Sequence, residues 1–483
     1  MLNEIEKVLR DAGLVGKGWA EATRVQGRRV AKYRRYYEGE HDVKLSRDMQ
    51  DMLRSDDGFS DNYCELVVNT MADRLLVRSI TSDEAGSENE TDAWAEALMV
   101  RERFDALQLD VHQACIRDGD TYVLSEYDEA TGEVKMHHEA AFDGEEGMLV
   151  VYDRLRRRIV VAIKVWYELS ERRVNFYYAD RVVKYEATGE LPLDEAAGGV
   201  KGVQIVGGET VGGKLKKIGE DIPWLAGQVP VSHFKNRAGS RRVNGSSELT
   251  AVVPLQDVLN RVVTSMVMTG ELNAFQIRVA KGFDPPERLA PGMWVVITGD
   301  NGVLGRDDQA DAYTLEAGEV IPFIDQANFI IEQMATISLT PLPKLTGGAA
   351  GESGEAMKER KEGMIGKINR SQVRLGNAWE DLMRLAVTIQ NAYGTSQVDA
   401  AAGWTVNWKP AEVRDTAEVL AKAQQMHEWG YEAEALRLLG YDGGEIKRLM
   451  EEKQAAASNA MAALGAGLPG FEQFGVPVVE EVA

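Results

Sequence analysis

Residues 339–354 of this 483-residue chain read LTPLPKLTGGAAGESG, and the rest of the chain is arranged around this stretch. Pro341 and Pro343 cannot continue a helix, because proline lacks a backbone N–H and restricts the residue before it. Three glycines then add backbone freedom: Gly347, Gly348 and Gly351. The stretch therefore predicts a mobile loop between two helices. It fits a loop that touches a sliding partner and equally an ordinary helix connection.

Apolar residues recur at helical spacing on both sides of this loop. We predict one helix over residues 322–337 and the longest helix of the chain over residues 354–393, about 60 Å long at ~1.5 Å per residue. Upstream, a helix starts near Ser247 and runs to about Glu271, with Asp257 and Arg261 as an i,i+4 pair. Between this helix and the 322–337 helix lies an insert of short strands and turns.

The N-terminal part changes its hydrophobic period from 3.6 to 2. Residues 1–38 are predicted to be helical, Asn62 can cap a second helix, and a third covers residues 104–117. Residues 121–185 then alternate as an antiparallel β meander. At the other end, residues 404–408 predict a strand, three short helices follow, and the tail is loose.

The net charge of −22 argues against a conventional nucleic-acid binder, whose affinity comes from neutralising phosphates with Lys and Arg. It allows a surface that DNA touches without adhering. No run of eighteen apolar residues is present, so no membrane span is expected. The N-terminus lacks the apolar core of a signal peptide, and Cys64 and Cys115 suggest reduced thiols in a cytosolic setting.

The sequence contains neither an H-E-x-x-H nor a G-x-S-x-G catalytic motif. His112 and Cys115 lie one helical turn apart, but no second pair completes a zinc site. The segment from Gly208 to Lys214 imitates a phosphate-binding loop, yet Leu215 stands where Ser or Thr must hold magnesium. We interpret it as a flexible hairpin or linker. The expectation is a protein that is not an enzyme, with no catalytic residue, cofactor or metal.

Four passages carry a resemblance to the portal (head–tail connector) proteins of long-tailed bacteriophages. Each motif is short, and their order along the chain is the more specific feature. They are Tyr36–His41 (YYEGEH); residues 62–77 with Asn69; Pro230–Phe234 with Asn236, Ser247–Leu249 and Asp257–Asn260; and Thr340-Pro341 through Ser353–Ala356.

The resemblance implies an α+β portal fold: a helical and β-rich wing, two stem helices, a small α/β clip, a long kinked wing helix and a helical crown. The implied boundaries are 1–244 wing, 245–272 first stem helix, 273–320 clip, 321–340 second stem helix, 341–354 tunnel loop, 355–413 long wing helix and strand, 414–460 crown and 461–483 flexible tail. The glycine-rich segment at 198–219 has no assigned role.

The resemblance also implies site residues. The DNA-facing tunnel-loop residues are Lys344, Leu345, Thr346, Gly347, Gly348, Gly351, Glu352 and Ser353. The stem residues are Leu255, Leu259, Met266, Phe323, Ile330 and Met334. The partner surface of the clip comprises Asp284, Pro285, Pro286, Asp307 and Asp308.

The implied function is a ring, usually of about twelve subunits, at one capsid vertex of the virion, assembled in the host cytoplasm. Double-stranded DNA is packaged and ejected through its channel, transiently and without sequence preference. The implied partners are further copies of the chain, the terminase motor, a head–tail adaptor, and the major capsid and scaffolding proteins, with no membrane. A structural head or adaptor protein without a channel is the alternative, and a nucleotide-using enzyme resting on Gly208–Lys214 is a weaker one.

Overall fold

A computed structural model describes the chain over residues 1–43, 50, 61–82, 90–153, 155–156, 158–168, 171–188, 214–237, 239, 243–274, 278–281, 294–297, 311–314, 318–341, 354–411, 416–441 and 443–466. Both helices and sheets are abundant, so the fold class is α+β, as predicted. Within those ranges no helix combines the length and apolarity needed to cross a membrane.

The helices follow the predicted periodicity. They are α1 (Leu2–Asp11), α2 (Trp19–Tyr37), α3 (Tyr63–Ala72), α4 (Glu90–Arg101), α5 (Phe104–Asp118), α6 (Val253–Ala274), α7 (Ile321–Ser338), α8 (Gly354–Tyr393), α9 (Thr416–Glu428), α10 (Glu432–Leu439) and α11 (Gly443–Ala466). The expected continuous helix over residues 1–38 is wrong, because the chain breaks between α1 and α2. Gly13 and Gly18 there take φ angles of 70° and 90°, which end a right-handed helix.

The described strands agree with the period-2 pattern between residues 120 and 188 and over 404–408, but those at 77–82, 214–217 and 222–223 were not predicted. The strands are β1 (Val77–Ser82), β2 (Asp120–Asp128), β3 (Glu133–Ala140), β4 (Gly147–Asp153), β5 (Arg158–Glu168), β6 (Glu171–Tyr177), β7 (Arg181–Thr188), β8 (Lys214–Lys217), β9 (Ile222–Pro223), β10 (Val231–Lys235), β11 (Arg278–Lys281), β12 (Trp294–Ile297), β13 (Asp311–Thr314) and β14 (Trp404–Trp408).

Two compact units divide the chain. The first comprises residues 1–76 and 98–400 and holds most of the elements. Its largest sheet is the antiparallel β4-β5-β6-β7-β8, with β9 also pairing to β7, and a second sheet has the order β10-β2-β3. The single meander predicted over residues 121–185 is therefore wrong, because β2 and β3 pair with β10 in a separate sheet. Ile5 and Leu9 of α1 pack on Ile163 and Phe176 of the largest sheet, which closes its apolar face.

The second unit comprises residues 77–97 and 401–483. Strand β1 pairs antiparallel with β14, from Val77 opposite Trp408 to Ser82 opposite Trp404. Helices α9, α10 and α11 belong to the same unit. Helix α9 packs against α10, and α10 packs against α11. The segment around β1, placed in the wing by sequence, therefore shares a compact unit with the predicted crown.

Helices α6 and α7 form an antiparallel hairpin within the first unit. The two helices pack side by side, and Asn273 near the end of α6 donates a hydrogen bond from Nδ2 to the carbonyl oxygen of Gly318, just before α7, at 2.7 Å. Between them lies a mixed sheet in which β11 pairs parallel to β12 and antiparallel to β13. The predicted order of helix, small insert and helix is present.

Candidate functional site

Two of the three predicted site groups lie outside the described residues. These are the tunnel-loop residues Lys344, Leu345, Thr346, Gly347, Gly348, Gly351, Glu352 and Ser353, and the clip residues Asp284, Pro285, Pro286, Asp307 and Asp308. Their roles stay predictions. The third group, on α6 and α7, lies within the structure, and so does the place where both helices join the rest of the first unit.

The predicted stem residues are buried to different degrees. Leu259 and Met334 are completely buried and Ile330 is nearly so. Leu255, Met266 and Phe323 are half-buried, so the hairpin keeps apolar surface outside its own interface.

Tyr36 and His41, two residues of the YYEGEH motif, hold the first stem helix in place. The Tyr36 hydroxyl donates a hydrogen bond to the Asp257 carboxylate on α6, and the Lys32 ammonium lies 3.6 Å from the same carboxylate. Burial and then this hydrogen bond raise the pKa of Tyr36. Arg261, the expected partner, donates instead to the backbone carbonyl of Asp257, so the predicted i,i+4 pair is wrong. The carboxylate turns inward because the buried hydroxyl needs an acceptor.

Asn260 extends this anchor by one helical turn. Its side-chain amide donates to His41 Nδ1 at 2.9 Å, and its oxygen accepts from Gln256 Nε2 at 2.8 Å. Because His41 Nδ1 accepts, Nε2 carries the ring hydrogen and donates to the Tyr36 carbonyl at 3.1 Å. Gln256 also accepts from the backbone N–H of Tyr63 at 3.2 Å. Residues from separate motifs thus form one polar network around α6.

Asn62 and Asn69 complete the contact with helix α2. The Asn62 side chain accepts from Glu65 N–H as the predicted cap of α3, and its amide donates to the Tyr37 carbonyl at 2.7 Å. The Tyr37 hydroxyl donates to Asn69 Oδ1 at 2.9 Å. The tyrosine pair and both asparagines of the motifs are therefore structural residues that fix helix positions.

A buried carboxylate joins the two stem helices to the long helix α8. Glu248, in the short 3₁₀ turn before α6, is only 2% exposed. Lys367 Nζ of α8 lies 2.6 Å from Glu248 Oε2 and donates to the carbonyl of Ser338, the last residue of α7, at 2.8 Å. Arg237 and Asn236 also donate to Glu248. Burial lowers the pKa of Lys367, while the Glu248 charge opposes that shift.

The chain crosses itself closely where α6 begins. A Cβ on Gly245 would lie 2.0 Å from the carbonyl oxygen of Gly119, and one on Gly119 would lie 2.8 Å from Ser247 N. Gly119 also takes a φ of 95° at the end of α5. Its carbonyl accepts from Asn236 N–H, whose own carbonyl accepts from Ser246 N–H. Glycine is required at both positions to bring α5, β10 and the stem together.

Trp379 ties α8 to α5 below this junction. Its ring packs edge-on against Phe104 and Phe234, and its indole N–H donates to His112 Nε2 at 2.9 Å. His112 Nδ1 faces the carbonyl of Leu75 at 2.7 Å. His112 is therefore a core residue, not half of a metal site. Among the described residues no group of three or more His, Cys, Asp or Glu side chains is placed to hold a metal ion.

The glycine-rich segment does not continue as a phosphate-binding loop would. Such a loop leads into a helix at its lysine. Lys214 instead opens strand β8, which pairs antiparallel with β7 from Thr188 to Tyr185. Residues 208–213 lie outside the described residues. The strand after Lys214 supports the interpretation of this segment as a hairpin or linker.

The order and geometry of these motifs agree with a comparison against protein families. The family model for the phage portal protein, SPP1 Gp6-like, matches residues 23–458. The chain belongs to this family. As a portal protein it is a structural head–tail connector component of a bacteriophage-type particle.

Curated relatives of this portal protein cover part of it. The portal protein of Mycobacterium phage L5 is 27% identical over 176 residues, which is 35% of this chain and 36% of that protein. The portal protein of Mycobacterium phage D29 is 27% identical over 186 residues, 36% of this chain and 38% of that protein. The matched region thus spans little more than a third of each relative.

Among solved structures, similar chains occur in the virion of a native gene transfer agent particle and in the neck of that particle computed with C12 symmetry. Each is 14% identical and has a TM-score of 0.41, over 86% of this chain and 99% of the other.

Sequence reasoning missed two residues of this site, Lys367 and Gln256, and gave no role to Glu248 of the Ser247–Leu249 motif. A signal existed for Lys367, which lies on the apolar face of α8 marked by Met364, Ile368 and Trp379. A lysine on a buried face needs a carboxylate or carbonyl partner. The sequence does not show which carboxylate pairs with Lys367, because Glu248 lies far from it along the chain.

Proposed function

We propose that this portal subunit assembles into a closed ring of about twelve copies at one capsid vertex, and that double-stranded DNA is packaged and ejected through the channel of the ring. The observation that carries the proposal is the apolar surface that α7 leaves exposed in a single chain, at Ile321, Ile324, Phe329 and Ile337. The helix carries only two charged residues, Asp325 and Glu332.

Helix α7 supports ring formation because several of its large apolar side chains lie outside the packing of its own chain. Within a single chain, Ile321 is 68% and Phe329 59% exposed, and Ile324 and Ile337 are also exposed. Large apolar side chains grouped in this way mark an interaction surface. A second copy of the same chain is the occupant we propose, since every subunit of a ring presents such a stem to its neighbour.

The charge of the chain supports a channel that does not retain DNA. Each copy carries −22, so a ring has a large acidic field. Phosphate contacts strengthen with each added Lys or Arg, and a predominantly acidic wall keeps them few. We propose that Lys344 and Thr346 of the 341–354 loop approach the passing duplex, and that the clip, residues 273–320, docks the terminase and later the tail adaptor.

Electron microscopy of purified protein tests the ring directly. We expect end-on views with about twelve-fold symmetry and an axial hole wide enough for duplex DNA. Phe329→Asp should abolish the rings, because it places a charge in the apolar contact. Leu155→Asp is the matched control, since Leu155 is 96% exposed at a β-turn of the largest sheet. Persistent monomers of the natural chain, even with capsid and scaffolding proteins present, would reject the ring and favour a head or adaptor protein without a channel.

The loop proposal has its own test. Replacing Gly347 and Gly348 by proline removes backbone freedom where the loop has to change shape around DNA. Rings should still form, while heads assembled with the variant should contain little DNA. Heads filled to the normal level would contradict the role given to this loop.

A further inference from the structure

A cavity of about 290 Å³ lies beside the buried carboxylate, where α6, α7 and α8 meet. Four basic side chains line it: Arg237, Lys367, Arg370 and Arg374. Glu248 is the single acidic residue of the lining. Four positive charges against one negative charge leave a local excess of three, on a chain whose net charge is −22.

The single carboxylate is already neutralised. Glu248 accepts from Arg237 and is paired with Lys367, so its charge is matched before the other two arginines are counted. Arg370 and Arg374 lie one turn apart on the exposed side of α8. Within the described part of the chain, neither has a carboxylate within ion-pair distance. Two guanidinium groups that line the cavity therefore have N–H donors with no anionic partner among the described residues.

Two residues beside the cavity hold left-handed backbone conformations, and Leu339 does so as the residue that ends α7. Three non-glycine residues of the described chain have positive φ angles, and two of them, Arg237 at 46° and Leu339 at 56°, line this cavity. Such conformations persist where the surrounding structure enforces them, and they concentrate at ligand-binding sites. Positive charge also crowds here, since Arg237 and Arg370 add to the burial that lowers the pKa of Lys367.

We propose that this cavity is a phosphate-binding site in which Arg370 and Arg374 hold the phosphate oxygens. Arginine forks match phosphate geometry by paired N–H···O bonds, and the volume equals roughly ten water molecules at ~30 Å³ each, which admits a partly hydrated phosphate. Leu339 lines the cavity and α7 ends beside it, so the site lies where the chain enters the predicted tunnel loop. A backbone phosphate of DNA is the source that this position favours, and free inorganic phosphate is the other source of the same group. The choice of DNA rests on the proposed channel function.

The first experiment measures binding of inorganic phosphate to the full chain by ³¹P NMR titration at constant ionic strength. Arg370→Gln with Arg374→Gln should weaken binding at least about tenfold, because each charged hydrogen bond contributes a tenfold factor or more. The control pair is Arg384→Gln with Arg448→Gln. It removes the same charge from two exposed arginines that already contact carboxylates. Equal binding by the natural chain and the first pair would overturn the proposal.

The second experiment uses a short fluorescent DNA duplex and identifies the source. If a backbone phosphate occupies the cavity, the slope of log affinity against log salt should fall by about 2 in the Arg370/Arg374 variant and stay unchanged in the control. Loss of inorganic phosphate binding with an unchanged DNA slope would assign the site to the free ion.

Electron microscopy separates this proposal from the ring. If the Arg370/Arg374 variant forms no rings while the natural chain does, and neither binds phosphate, the cavity takes a carboxylate of a neighbouring copy and the proposal fails. If the natural chain binds phosphate through these arginines but never forms rings, the phosphate site stands and the channel function fails.

Discussion

His112 should make the stability of the first unit depend on pH. Its Nε2 accepts the indole N–H of Trp379, so Nδ1 carries the hydrogen and donates to the Leu75 carbonyl. A proton added to Nε2 would face a donor in a fully buried site. Burial lowers the pKa of His112 from 6.5 to about 4, although the Leu75 hydrogen bond opposes the shift.

The sign and size of the effect follow from these two values. Above pH 6.5 the ring is neutral in the folded and unfolded chain alike. Between pH 6.5 and about 4 the unfolded chain takes up the proton and the folded chain does not, so stability is lost as the pH falls. At about 1.4 kcal/mol per pH unit, acidification from pH 6.5 to about 4 lowers the free energy of unfolding by roughly 3 kcal/mol.

The perturbation is His112→Gln, which cannot titrate. Urea unfolding, followed by tryptophan emission at equal protein concentration, should be measured near pH 7 and near pH 4. The natural chain should lose roughly 3 kcal/mol more than the variant between these two conditions. Contributions of other groups cancel in this difference. His137→Gln is the control, since His137 is exposed on β3 of the same unit.

If His112→Gln and the natural chain lose the same stability on acidification, the buried neutral His112 does not cause the pH dependence of stability, and the prediction is wrong. The control should follow the natural chain at both conditions. A control that follows His112→Gln instead would show that exposed histidines dominate.

Three further perturbations test the junction and the stem anchor. Glu248→Ala should lower the free energy of unfolding by about 3–5 kcal/mol because it leaves Lys367 buried without its partner, and adding Lys367→Met should restore part of the loss in the same urea titration. Gly245→Ala should cost about 1–3 kcal/mol or more through overlap with the Gly119 carbonyl, whereas Gly239→Ala meets no atom within 4 Å and should leave the melting temperature unchanged. Asn260→Leu should cost about 1–3 kcal/mol because it leaves His41 Nδ1 without its donor and removes one acceptor of Gln256 Nε2, as read from faster amide exchange at the start of α6.

Local signals sufficed for the bounds of several elements. The predicted helix over residues 354–393 and the strand over residues 404–408 are observed with those bounds, because their hydrophobic periods are long and uninterrupted. Asn62 caps α3 as expected, since a cap is a contact between residues three apart. The break between α1 and α2 was missed because glycine, the residue type at positions 13 and 18, also occurs inside helices.

The candidate site was harder to predict because its contacts join distant residues. Tyr36 and Asp257 are separated by 221 positions, and Trp379 and His112 by 267. The motif residues were recognised correctly, but their shared network was not visible. Arg261 was assigned to Asp257 because the two are near in the chain, and the buried Tyr36 hydroxyl took that carboxylate instead.

The amino-acid sequence by itself determined the class of the fold, the order of helix, insert, helix and loop, and the acidic charge, because hydrophobic period, capping and composition act over a few residues. Tertiary structure alone decided which polar groups meet. Lys367 pairs with Glu248, and Arg370 and Arg374 border a cavity, only because α8 packs on the start of α6. A buried charge must find its partner wherever packing places one, and no local rule specifies that place.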